Sequence, residues 1–188
     1  MLIITSFYNY RKSLKKSLFM ILAFDTYYYD NKAKTVCLSF EEWTDDTPVQ
    51  IYSEVIEDIA EYEPGAFYKR EMPCILSLLK TINLKNVDCI IVDSFVLLND
   101  EGKLGLGGHL YKALDNKIPI IGVAKSGFHE NKRNVKELIR GESKKPLYVS
   151  AIGITLETAY QLIKKMHGDY RMPTLLQLLD RHTKNELI

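Results

Sequence analysis

A single α/β domain built on a mixed β-sheet is the fold this sequence predicts, from three observations. Two apolar, β-branched and aromatic stretches, 19–28 and 35–40, flank a polar link of turn-forming residues and read as an antiparallel hairpin. Two compact apolar runs, 89–92 and 118–124, enclose a helical pattern at 104–114, which is the sign of a parallel crossover. The 188 residues, 46% hydrophobic and 26% charged, suffice for one core and would leave a second domain cramped, so 1–188 is expected to be one domain.

Taken in order, the first hairpin joins a third antiparallel strand at 47–53. Pro64 and Gly65 break the acidic stretch before them. Beyond them Met72, Ile75, Leu76 and Leu79 recur at helical spacing, predicting an amphipathic helix from about Phe67 with Glu71 in its first turns. After the crossover, 148–154 reads as a short strand, and Thr155 followed by Glu157 and Thr158 starts a helix. Pro173 separates a last helix from Leu175 onward.

No stretch approaches the roughly 18 apolar residues of a membrane span. Arg11, Lys12, Lys15 and Lys16 before the apolar run 18–24 resemble the start of a signal peptide, but no small-residue cleavage site follows and Asp25 interrupts the run. Cys37, Cys74 and Cys89 are odd in number, without metal-ligand spacing, and sit in apolar surroundings. A cytoplasmic protein with buried free thiols is expected.

The formal net charge of +1 does not advertise nucleic-acid binding. Local charge carries that case: between 125 and 145 stand Lys125, Lys132, Arg133, Lys136, Arg140, Lys144 and Lys145 against Glu130, Glu137 and Glu142, a segment able to track a phosphate backbone or to be a solvated loop.

Asp25 and Asp93 fall at predicted strand ends, where open α/β sheets bind ligands. With Glu71 they make a plausible Mg²⁺ site, since this ion takes one or two carboxylates and fills its shell with water and phosphate oxygens. Acids at strand ends also cap helices and form turns, and spacing leaves both readings open. The glycine-rich stretch 102–108 lacks the Lys-Ser/Thr of a phosphate loop and follows Asn99, Asp100 and Glu101, so helix initiation and close packing explain its glycines better. His109, His129, His167 and His182 share no ligand spacing, and no nucleophile elbow occurs. His109 reads as a core histidine.

Together these segments resemble the endonuclease V family, in order, over most of the chain. AFDTYYYD resembles the family's first strand, with Asp25 as metal ligand. YEPGAFYKRE resembles its wedge and catalytic glutamate, Tyr62 and Glu71. CIIVDS resembles the strand of the second aspartate, Asp93, and LGLGGHLYKAL the helix carrying His109. IPIIGVAKS places Lys125, followed by Ser126, where the family has a lysine at the scissile phosphate. ITLETA, YRMP and LLDR resemble the C-terminal helix pair, with Asp180 at the family's further ligand position.

This resemblance implies a ribonuclease H-like sheet and a monomeric, Mg²⁺- or Mn²⁺-dependent endonuclease of the DNA repair type. It would hydrolyse a phosphodiester near inosine in DNA, or in RNA. The implied catalytic residues are Asp25, Glu71, Asp93 and Lys125; the metal ligands are Asp25, Asp93, Glu71 and Asp180. Tyr62, Pro64, Gly65, His109, Ser126, Lys132 and Arg133 are the implied nucleic-acid contacts. The chain departs from the family at 151–153, at Asn99, Asp100 and Glu101, at Glu61 and Glu63, and at Leu176 and Gln177, changes that touch substrate grip more than the acids. A nucleic-acid-binding protein of the same fold without efficient cleavage, and a nuclease with another target, are the alternatives.

Overall fold

The computed structural model describes residues 19–57, 59, 67–128 and 130–184. Among these the chain forms strands β1 (Met20–Tyr29), β2 (Lys32–Phe40), β3 (Gln50–Glu57), β4 (Val87–Val92), β5 (Ile120–Ala124), β6 (Lys136–Leu138) and β7 (Leu147–Ile152). The helices are α1 (Tyr68–Leu79), α2 (Leu106–Ala113), α3 (Leu156–Lys165) and α4 (Thr174–Lys184). One mixed sheet runs in the order β3-β2-β1-β4-β5-β7-β6. β1, β4 and β5 are mutually parallel and the remaining pairings antiparallel.

Strand alternation sorts the core into two layers. Ile21, Ala23, Ile91, Ile121 and Val123 face α3 and α4, whereas Leu22, Phe24, Ile90, Val92 and Ile120 face α1 and α2. Thr155 caps α3 by accepting the backbone N–H of Thr158, as its sequence predicts. α4 buries Leu175, Leu176, Leu179 and Thr183 against β1 and β2. That stripe holds the helix over the sheet, and truncating one such leucine to Ala costs about 2–5 kcal/mol.

Three local expectations change. β1 does not end at Asp25 but continues through Tyr27, Tyr28 and Tyr29, whose β-favouring rings extend the hairpin to a turn at Asp30 and Asn31, both at positive φ. Pairing of β1 with β4 nonetheless stops at Phe24 and Val92, so Asp25 still stands at the end of the parallel layer. The third strand begins at Gln50 rather than Thr47. Strand β6 lies within the basic segment read as a phosphate track or loop.

The glycine-rich stretch packs as expected. A Cβ on Gly105 would lie 2.4 Å from the Phe95 carbonyl oxygen, and one on Gly108 2.6 Å from that of Val96. Those two carbonyls accept the N–H groups of Gly105, Gly107 and Gly108, so the α2 N-terminus is already satisfied by the loop after β4. All three cysteines are buried free thiols. No described helix is long and apolar enough to cross a membrane.

Candidate active site

Register brings the predicted acids together. Phe24 pairs with Val92 across the parallel β1 and β4, which sets Asp25 and Asp93 side by side one residue further on. Ile21, Ala23 and Asp25 share a face, as do Cys89, Ile91 and Asp93, and Ile121, Val123 and Lys125. The three-stranded parallel layer thus ends in polar residues that continue its α4-facing apolar stripes. α4 supplies Asp180, one residue past the buried Leu179.

Lys125 links the group. Its Nζ donates to Asp93 Oδ2 at 2.9 Å and to Asp180 Oδ1 at 3.1 Å. Lys184 donates to Asp180 Oδ2 at 2.7 Å, and Thr183 Oγ1 to Asp25 Oδ2 at 3.3 Å. The backbone N–H of Thr26 reaches Asp25 Oδ1 at 2.9 Å. Glu71, one helical turn before the buried Ile75 on α1, approaches from the opposite face, is 2% exposed, and has its Oε2 buried without a hydrogen-bond partner.

Crowded carboxylates shape the proton affinities. Burial, reinforced by Asp93 and Asp180 and opposed by Lys125, pushes Asp25 up to about 6. Burial likewise drives Glu71 well above the usual carboxylate range, with Asp25 and Asp93 adding to it. For Lys125 burial works against the ammonium, but the hydrogen-bonded carboxylates of Asp93 and Asp180 outweigh it and hold the proton more firmly than usual. Burial raises Asp180, yet bonds from Lys184 and Lys125 win and its carboxyl stays below its ordinary value.

The donor set is entirely oxygen, the chemistry that suits Mg²⁺ and Mn²⁺. The orphaned Glu71 oxygen and the elevated Asp25 both mark a place where positive charge is wanted. The acids are not a finished cage: among the described residues no three His, Cys, Asp or Glu side chains are gathered closely enough to hold an ion as they stand. Lys125 instead bridges two of them.

The predicted nucleic-acid contacts divide. Tyr62, Pro64 and Gly65 lie outside the described residues. Ser126 follows Lys125 and is exposed. His109 does not join the ion-pair network: its ring stacks on Tyr68, centroids 3.6 Å apart, and burial with nearby Lys112 lowers its proton affinity. Lys132 is exposed, while Arg133 pairs with Asp100 at 3.5 Å. Two other cations of the basic segment serve the fold. Arg140 is buried and donates to the carbonyls of Met166, Gly168 and Tyr170; Lys136 pairs with Glu157 and lies over the Tyr160 ring.

Sequence reasoning missed Arg171, whose guanidinium donates to the backbone carbonyls of Lys125 and Pro146. It also missed Thr183 and Asp100. Asp100 accepts the backbone N–H groups of Arg133 and Lys132, at 2.7 and 2.9 Å. The one available signal for Arg171 was its place inside YRMP; nothing local marks its partners, which lie 46 and 25 residues away.

Acids aligned at the ends of parallel strands, with a lysine among them, on a mixed sheet of this order define a ribonuclease H-like α/β protein. A family model described as Endonuclease V matches residues 5–181. The chain belongs to the endonuclease V family. No curated protein matches it significantly by sequence. Among solved structures it is similar to endonuclease V of Ciona intestinalis, a D234N form in complex with a 23mer DNA containing an inosine followed by a ribo-adenosine. That likeness has 20% identity and a TM-score of 0.73, covering 89% of this chain and 85% of that one. Human endonuclease V is 23% identical with a TM-score of 0.68, covering 88% and 82%. Marinitoga piezophila Argonaute shares the fold over 94% of this chain and 31% of its own, with a TM-score of 0.54 at 14% identity.

Proposed function

We propose that this protein is a divalent-metal-dependent endonuclease that hydrolyses a phosphodiester beside a deaminated purine. The observation that carries the reading is the convergence of Asp25, Asp93 and Lys125, at the edge of the parallel layer, with Asp180 of α4, and the unpaired Glu71 oxygen facing the same acids. Family membership supports nuclease chemistry, and the Ciona relative, bound to inosine-containing DNA, supports the substrate class.

Asp25, Asp93, Glu71 and Asp180 are the residues that would hold the metal, Mg²⁺ or Mn²⁺, once Lys125 gives up its bonds to two of them. When bound, such an ion supplies a nucleophilic water at neutral pH and stabilises charge on the leaving oxygen. Lys125 keeps its proton through the neutral range, so it acts as a fixed positive charge and not as a base. Released from Asp93 and Asp180, its ammonium donates to a non-bridging phosphoryl oxygen as charge builds there. Thr183 orients Asp25, and Arg171 fixes the backbone from which Lys125 projects.

End-labelled DNA and RNA strands carrying one inosine, with inosine-free controls, test this in Mg²⁺, Mn²⁺ and EDTA. The expected result is a metal-dependent cut near inosine by the wild type and none by Asp25→Ala. No cut on any inosine strand, with binding intact, turns the reading to a nucleic-acid-binding protein of this fold or a nuclease with another target.

A further inference from the structure

Beyond Lys125 the chain builds a feature that the acids do not use. Gly127, Phe128 and the stretch 131–137 meet Tyr148, at the start of β7, around a cleft of about 480 Å³. Phe128, Tyr148 and Val135 supply its apolar walls, Lys132 and Glu137 its charged rim. Phe128 is 40% exposed, and its ring stands 6.4 Å, between centroids, from that of Phe95.

The loop is held in place. Asp100 accepts the backbone N–H of Lys132 and of Arg133, Asn134 Nδ2 donates to the Asn99 carbonyl at 3.1 Å, and Asn131 Nδ2 donates to the Leu97 carbonyl. A cleft ordered in advance loses less on binding. Asn131 also lines it, is 6% exposed, and has its amide oxygen buried without a partner.

Aromatic walls beside a cation fit a nucleobase and its phosphate. Bases of any sequence stack on aromatic rings, and a lysine at the rim meets the backbone. Two residues separate Lys125 from Phe128, which stands at most about 11 Å away along extended chain. Tyr148 pairs with Ala124 and alternates with Val149, so it points to the α1–α2 side while Lys125 points to α4. The cleft therefore takes a nucleotide further along the strand and not the scissile phosphate.

We infer that Phe128, Tyr148 and Lys132 form a stacking subsite for a nucleobase flanking the cut, an assignment that rests on the nuclease reading above. Fluorescence anisotropy in EDTA, with a labelled single strand carrying one inosine, tests it without requiring cleavage. Phe128→Ala and Tyr148→Leu are each expected to weaken binding by about five- to fifty-fold. An abasic scan is expected to find a position, at fixed distance from the inosine, where removing the base weakens the wild type by a similar factor and leaves Phe128→Ala unaffected. At the other positions Phe128→Ala is expected to respond to base removal as the wild type does, which a misfolded variant would not. Wild-type indifference to every abasic position, or equal affinity of wild type and Phe128→Ala, overturns the subsite. Failure of the nuclease reading shows separately, as absence of any metal-dependent cut by the wild type.

Discussion

The acid centre and the basic segment after it are made of the same kinds of charged residue, and the fold uses them oppositely. In the centre, Asp25, Asp93 and Lys125 sit at strand ends, where the sheet dictates their direction and leaves their charges facing one another. In the segment 125–145, Arg140 is buried under three carbonyls and Lys136 is tied to Glu157, so charges that look available to a polyanion hold the chain together. Rigid backbone exposes function; an irregular segment absorbs its own charges to satisfy its backbone.

Lys125→Ala puts the sharpest strain on this contrast. It is expected to slow single-turnover cleavage about 10²- to 10³-fold while changing strand affinity in EDTA by only a few-fold. Equal losses in rate and affinity would move Lys125 into the class of simple phosphate contacts and blur the distinction.

Arg171→Ala comes next, since it leaves two carbonyls without their donor and the Lys125 backbone unheld. A loss of about 10- to 100-fold in kcat, with KM nearly unchanged and partial recovery on adding guanidinium, is expected. A fall in Tm without recovery would assign Arg171 to folding alone.

The acid centre should also be the less stable region when no metal is present. Asp25 has a folded pKa of about 6, raised from 3.8, so its ionisation opposes folding. Its favourable contribution is complete below about pH 4 and is lost as pH rises through about 6. In EDTA, Asp25→Asn is therefore expected to raise Tm by several degrees at pH 8 and to leave it nearly unchanged at pH 4. Identical melting of the two proteins at pH 8 would show that the carboxylate crowding carries no cost.

Within the basic segment the smallest effects separate two lysines. Lys132→Ala is expected to reduce the salt dependence of strand binding by about one ion, while Lys136→Ala leaves it unchanged because Glu157 already neutralises that charge. Equal slopes for both variants would return Lys136 to the phosphate track.

What the sequence made legible follows the same division. The compact apolar runs at 89–92 and 118–124, the cap at Thr155 and the glycine packing at 105–108 were readable because each is decided within a few residues. Asp25, Asp93 and Lys125 were readable because a compact apolar strand ending in a charged residue points to the sheet's ligand edge. That Asp25 lies within β1, where only the parallel pairing stops, was not, since the strand beyond it depends on pairing with β2 and not on β4. Nor were Arg171 and Asp100, whose partners lie far along the chain, or strand β6, which is polar and only three residues long and is fixed by its pairing with β7.

Asp93 is shared by the acid cluster and by Lys125, so the centre depends on it most directly. Single-turnover cleavage of an inosine strand in Mg²⁺ by wild type and Asp93→Asn, with affinity measured in EDTA, tests it. A rate loss on the order of 10³-fold or more, with affinity preserved, is the predicted result. Cleavage within ten-fold of wild type would contradict it, because a centre built on that carboxylate cannot survive its replacement by an amide.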